Sequence, residues 1–117
     1  VEDEESVREL AREILEMQGY VVLEARHPGE ALRLMVERPE RPIHLMMTDV
    51  ILRVMSGPEL ARRVQALRPK MMVLFMSGYA DEAIVHHGVL EPGAAFLEKP
   101  LTPDTLAKKV RETLDSP

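Results

Sequence analysis

Five side chains in this 117-residue sequence have the types and spacing to handle a phosphoryl group together. Asp49 follows the apolar run Ile43–Thr48. Glu2 and Asp3 stand just ahead of the first helical pattern. Ser77 ends the run that starts at Met71, and Lys99 follows the short run Ala94–Leu97. Three carboxylates held close together repel one another, and a hard cation relieves that repulsion. Oxygen donors with room for water suit magnesium, Mg2+, which binds through one or two carboxylates plus phosphate oxygens. A carboxylate beside such an ion can act as a nucleophile toward phosphorus. The loose transition state needs positive charge on its equatorial oxygens, which Lys99 and Mg2+ could supply. The Ser77 hydroxyl could add a hydrogen bond. Taken singly, each residue also has a plain structural reading. Acids at a helix start offset the helix dipole, Asp49 and Ser77-Gly78 suit turns, and Lys99 suits a surface. The specific signal is their joint placement.

That placement follows from the elements. Ser6-Val7-Arg8-Glu9 has the pattern of a capping box, and Val7, Leu10, Ala11, Ile14 and Leu15 recur behind it at helical spacing. Gly19 closes this helix. Tyr20–Ala25 is a β-rich run. Pro28 suits the first turn of a second helix with Ala31, Leu32, Met35 and Val36. Ile43–Thr48 and Met71–Met76 are near-continuous apolar runs, the look of strands covered on both faces. Ser56-Gly57-Pro58-Glu59 signals a helix start before Leu60, Ala61, Val64 and Leu67. A weaker helical pattern covers Ala80–Val89, and Thr102-Pro103 begins a last helix with Leu106, Val110 and Leu114. Strands alternating with helices predict βαβ units around a parallel sheet. In such a sheet ligands bind outside the carboxyl ends of the strands. The five residues fall at that edge.

Composition narrows the alternatives. The length suits one domain over residues 1–117, with 45% hydrophobic and 30% charged residues, as in an ordinary soluble globular domain. There is no cysteine, which excludes a disulfide scaffold, a zinc–thiolate centre and a thiol nucleophile. The net charge of −5 argues against nucleic acid as a partner. Aromatic residues at 3% argue against a stacking platform for single strands. No apolar run approaches the roughly 18 residues that span a bilayer, so no membrane contact by this domain is expected. The 8 methionines read as core filler. Adjacent His86 and His87 face different ways on a helix and make a poor metal pair. His44 reads as a packed or rim residue. Neither a phosphate-binding G-x-x-x-x-G-K-[ST] loop nor G-x-G-x-x-G is present, which removes the usual nucleotide folds.

The set of motifs resembles the receiver domain of bacterial two-component signalling along essentially the whole chain. The matching segments are Val1-Glu2-Asp3-Glu4, Leu45-Met46-Met47-Thr48-Asp49-Val50, Met55-Ser56-Gly57, Phe75-Met76-Ser77-Gly78-Tyr79 and Phe96-Leu97-Glu98-Lys99-Pro100. The resemblance implies a flavodoxin-like α/β fold: a doubly wound, parallel, five-stranded sheet. It implies that Asp49 is the phosphoacceptor and that Asp3 ligates Mg2+ directly, with Glu2 acting through water. Asp49 and the Ile51 carbonyl would complete the metal set. Ser77 and Lys99 would contact the phosphoryl oxygens, Gly78 would leave them room, and Ser77 with Phe96 would form the conformational switch. The run Phe75–Tyr79 and the segment Gly88–Gly93 are similar to receivers of hybrid sensor histidine kinases.

The implied function is a phosphorelay switch that takes a phosphoryl group from a histidine kinase or phosphotransfer protein. It would be a signalling domain that catalyses only its own phosphorylation and dephosphorylation. It would be cytoplasmic, alone or within a membrane-anchored kinase. Pairing as a homodimer through the last strand and last two helices is compatible with the resemblance. A phosphorylation-incompetent pseudo-receiver, acting as a protein-interaction domain, is the alternative. A Mg2+-dependent aspartyl-phosphate phosphatase would need a general acid two residues after Asp49, where Ile51 stands. Ile51 and Tyr79 are bulky beside the expected path of attacking water, so a long-lived phosphorylated state is expected.

Three positions depart from the family pattern. Only Val1 stands where a strand should precede the first helix, so either the sequence is trimmed or that strand is missing. A solitary copy without it should fold poorly, which favours trimming. Arg53-Val54 replaces the usual proline and nearby glycine. His27-Pro28-Gly29 replaces a commoner polar-glycine pair, and no function is attached to it.

Overall fold

In the computed structural model, residues 1–78 and 94–115 are described. Four helices and three strands follow in chain order: α1 (Glu5–Met17), α2 (Pro28–Glu37), β1 (Leu45–Asp49), α3 (Gly57–Leu67), β2 (Met72–Ser77), β3 (Ala95–Glu98) and α4 (Pro103–Asp115). The helical pattern Ala80–Val89, with His86 and His87, lies outside the described residues.

The strands form a parallel sheet in the order β1-β2-β3. Leu45 pairs with Met72 and Asp49 with Met76; Leu74 then pairs with Ala95 and Ser77 with Glu98. Successive side chains on a strand point to opposite faces, and the core divides accordingly. Met46 and Phe75 pack with Ala31, Met35, Leu60 and Val64 on one face. Leu74 and Met76 pack with Ala11, Ile14, Leu106 and Val110 on the other. Helices therefore cover both faces, as the near-continuous apolar runs predict.

Local signals account for several helix ends. The Ser56 hydroxyl accepts from the Glu59 amide at 3.2 Å, and the Thr102 hydroxyl accepts from the Thr105 amide at 3.2 Å. Gly19 adopts φ 91°, the left-handed geometry that glycine takes without strain. Pro28 opens α2, and His27 caps it by accepting from the Glu30 amide at 3.2 Å. The odd His27-Pro28-Gly29 sequence is thus a helix start.

Two expectations need correction. The Ser6 capping box does not form: α1 begins at Glu5, Glu4 occupies the N-cap, and no side chain caps it. Ser6 Oγ instead donates to the Glu4 carboxylate at 3.4 Å, because the helix starts two residues earlier than the capping box implies. The expected five-stranded sheet shows three strands among the described residues, and Tyr20–Ala25 is not one of them. A strand exists only through a ladder partner, and a cavity separates that segment from β1. Val1 alone reaches into this gap. Its amino group donates to the Met47 carbonyl, and its carbonyl accepts from the Asp49 amide at 3.2 Å.

Candidate functional site

Parallel pairing delivers the strand ends to one edge. Asp49 ends β1, Ser77 ends β2, and the Lys99 amide donates to the Ser77 carbonyl at 2.8 Å just past β3. Val1, held on β1, sets Glu2 and Asp3 beside them. The Glu2 amide donates to the Ala25 carbonyl at 3.1 Å, and the Arg8 guanidinium donates to the Glu2 carbonyl at 3.0 Å. Thr48, fully buried, donates from its hydroxyl to the Asp49 carbonyl at 3.1 Å. The Lys99–Pro100 peptide bond is cis.

The result is a buried charge cluster. Glu2 and Asp49 are both buried, whereas Asp3 is exposed. Lys99 Nζ lies 3.0 Å from Glu2 Oε2 and 2.8 Å from Asp49 Oδ1. Glu2, Asp3 and Asp49 each present an oxygen within 4.8 Å of the others. Ser77 is fully buried, and among the described residues its hydroxyl has no hydrogen-bond partner. An unpaired buried hydroxyl is costly, so it marks a place built to receive an acceptor oxygen.

Electrostatics follows from this packing. Burial pushes the Asp49 carboxyl up to about 8; the hydrogen bond and charge of Glu2 add to the rise, and Lys99 opposes it. Burial also pushes Glu2 up, but hydrogen bonds to Asp49, Lys99 and the Glu4 amide together hold it below its usual range. Burial lowers Lys99, yet its contacts with Asp49 and Glu2 leave it raised and charged. One ammonium thus faces two carboxyls, and the pair lacks the positive charge for both to ionise easily. A divalent cation would supply it. An all-oxygen donor set open to solvent at Asp3 fits Mg2+.

The remaining expected residues surround this cluster. Ile51 is half exposed in the loop two positions after Asp49, and Gly78 is half-buried beside Ser77. Phe96 pairs with Phe75 in register and packs on the α3 side of the sheet. Tyr79 lies outside the described residues. The structure also gives a physical setting to Gly57, Arg53 and Val54, which the sequence marks only as motif positions or departures. Gly57 allows α3 to start under Asp49: a Cβ there would lie 2.0 Å from the Asp49 carbonyl oxygen. Arg53 Nε stands 4.0 Å from Asp3 Oδ2 at the exposed rim. Val54 has φ 74°, a left-handed geometry that β-branched residues rarely take.

The family model described as the response regulator receiver domain matches residues 1–111. The chain belongs to that family. It is 35% identical over 115 residues to the sensor kinase CckA of Brucella abortus, covering 98% of this chain and 12% of that protein. It is 28% identical to the response regulator receiver protein CpdR of Brucella abortus, covering 97% of this chain and 92% of that one. The solved receiver domain of the hybrid histidine kinase CckA superposes with a TM-score of 0.78 at 34% identity, covering 97% of this chain and 94% of that chain. The receiver therefore spans about an eighth of one curated relative and nearly all of another. Its fold is the flavodoxin-like α/β receiver fold. Receiver domains are the phosphoacceptor modules of two-component signalling; they engage histidine kinases or phosphotransfer proteins and generally bind Mg2+. Among the described residues, no helix is long and apolar enough to cross a membrane.

Proposed function

We propose that this receiver is a phosphorylation-competent switch with Asp49 as acceptor. The observation that carries the reading is the buried Asp49 carboxyl, 2.8 Å from Lys99 Nζ, beside the Glu2 and Asp3 oxygens and the unpaired Ser77 hydroxyl. An Asp49 carboxylate oxygen attacks the phosphorus of a partner's phosphohistidine. The P–O bond forms as the P–N bond breaks, and the imidazole nitrogen keeps the electron pair. Lys99, freed from a carboxylate that is becoming an acyl phosphate, faces the phosphoryl oxygens. The Ser77 hydroxyl donates to one of them and so gains the partner it lacks. Glu2, Asp3, Asp49 and the Ile51 carbonyl would hold Mg2+, whose charge offsets that of the phosphoryl group. Gly78 leaves room for the phosphoryl oxygens. Movement of Ser77 toward the new group is the trigger that Phe96 reports, so phosphorylation acts by shifting a population between two packings.

In this reading the domain catalyses only its own modification and its reversal, with a histidine kinase or phosphotransfer protein as donor. The test is intact-mass measurement after incubation with Mg2+ and a small acyl phosphate. One phosphoryl group should be gained, and none with chelator or in Asp49→Asn. A folded protein that gains nothing would instead be a pseudo-receiver.

A further inference from the structure

The three carboxyls at the sheet edge do not share one counter-charge. Glu2 and Asp49 are buried, and both face Lys99 Nζ, at 3.0 and 2.8 Å. Asp3 stands outside them with 48% of its side chain exposed. Among the described residues its one ion pair is with Arg53, whose Nε lies 4.0 Å from Asp3 Oδ2.

The two cations are held differently. Lys99 follows β3, is mostly buried and touches two carboxyls, and its own amide is bonded to the Ser77 carbonyl. Arg53 lies in the loop between β1 and α3, with 89% of its side chain exposed and a single contact to a carboxyl. An exposed pair of this kind adds little stability and exchanges readily. Arg53 is therefore the cation that can leave. Its loop also carries the Ile51 carbonyl two residues earlier. The Gly57 amide donates to the Val50 carbonyl at 2.8 Å, and the Met55 amide donates to the Arg53 carbonyl at 2.8 Å. Arg53 and Ile51 thus belong to one short, bonded piece of backbone.

We propose that Arg53 is the resident counter-ion of Asp3, that it gives Asp3 up when Mg2+ binds, and that it thereby sets the metal affinity of this receiver. The inference rests on the reading that Glu2, Asp3, Asp49 and the Ile51 carbonyl hold the metal. A carboxylate paired with a guanidinium must lose that pair before the same oxygen can serve as a ligand. A cation left at the rim also repels a second one. Both effects raise the Mg2+ concentration needed for half-occupancy. The loop then exchanges one hold on the acidic pair for another, through the Arg53 side chain without metal and through the Ile51 carbonyl with it.

The test is calorimetric titration of the intact protein with Mg2+ alone, beside Arg53→Gln and Arg53→Lys. Both changes fall on an exposed side chain, so the fold should hold, and circular dichroism checks it. Arg53→Gln should bind Mg2+ about threefold more tightly, the scale of one exposed ion pair. Arg53→Lys keeps the charge and should bind as the unaltered protein does. The gain in Arg53→Gln should shrink in high salt, which screens exposed charges. A second readout follows Arg53 itself. Its Nε–H resonance in nitrogen-15 NMR, assigned by its loss in Arg53→Gln, should move in metal-free Asp3→Asn. In the unaltered protein it should move on Mg2+ addition with the calorimetric midpoint. Equal or weaker Mg2+ binding by Arg53→Gln would overturn this inference alone, as would an Arg53 resonance indifferent to Asp3→Asn. No Mg2+ binding by any of the proteins would overturn the metal reading together with it.

Discussion

The two edges of β1 differ. One is laddered to β2 through five residue pairs, from Leu45–Met72 to Asp49–Met76. The other meets a single residue, Val1, and then a cavity. Asp49, Ser77 and Lys99 are carried by the complete side and sit where the interstrand register puts them. Glu2 and Asp3 lie on the other side, placed by Val1, by the Ala25 carbonyl and by Arg8. The acceptor half of the site is thus built into the sheet, and the acidic half is held by backbone bonds to β1 and Ala25 and by Arg8. Lys99 joins the halves by touching one carboxyl from each.

Breaking that joint should have the largest effect. Lys99→Ala should slow phosphorylation by an acyl phosphate about 100-fold, the scale of losing one transition-state donor. Time-resolved intact mass would read it, and a rate within twofold of the unaltered protein would refute the role. Next comes tightness on the closed side. Gly57→Ala drives a Cβ to 2.0 Å from the Asp49 carbonyl oxygen, against backbone rather than a yielding side chain. It should cost about 1–3 kcal/mol in urea unfolding. On the open side, Ala31→Leu adds larger bulk but points it at the cavity, and the same measurement should move by no more than about 0.5 kcal/mol. Equal losses at the two positions would erase the contrast between the edges.

The pH dependence sharpens the same comparison. Asp49 titrates near 3.8 when unfolded and is pushed up to about 8 in the folded state, chiefly by burial. Between those values the native state holds the extra proton, so stability falls as pH rises. The metal-free protein should therefore lose stability between about pH 4 and pH 8 from this group, and Asp49→Asn should flatten that slope. Mg2+ binding near pH 7 should release a proton, which calorimetry in buffers of different ionisation enthalpy would detect.

Much of the scaffold was legible because its signals are local. Ser56, Thr102, Pro28 and Gly19 mark helix ends through bonds or dihedral angles within four residues of themselves. The apolar runs before Asp49 and Ser77 become strands covered on both faces, the short run before Lys99 becomes a half-buried strand paired with β2, and parallel pairing then gathers the three residues. What sequence did not show depends on distant neighbours. Tyr20–Ala25 has β-forming residues but no ladder partner. Ser6 has a capping pattern, but the chain enters α1 two residues sooner. Gly57 reads as part of a helix start, while its closest constraint is the Asp49 carbonyl, eight residues back. The raised Asp49 carboxyl comes from burial beside Glu2, 47 positions away, and no local pattern encodes that. Val54 takes a positive φ that nothing in the structure explains.

The central claim is that Asp49 carries the phosphoryl group. Borohydride reduction of an aspartyl phosphate leaves homoserine, which peptide mass spectrometry can place in the chain. After treatment with an acyl phosphate and Mg2+, homoserine should appear at position 49, and omission of Mg2+ should remove it. Homoserine at another acid, or none in protein that has gained a phosphoryl mass, would contradict the account.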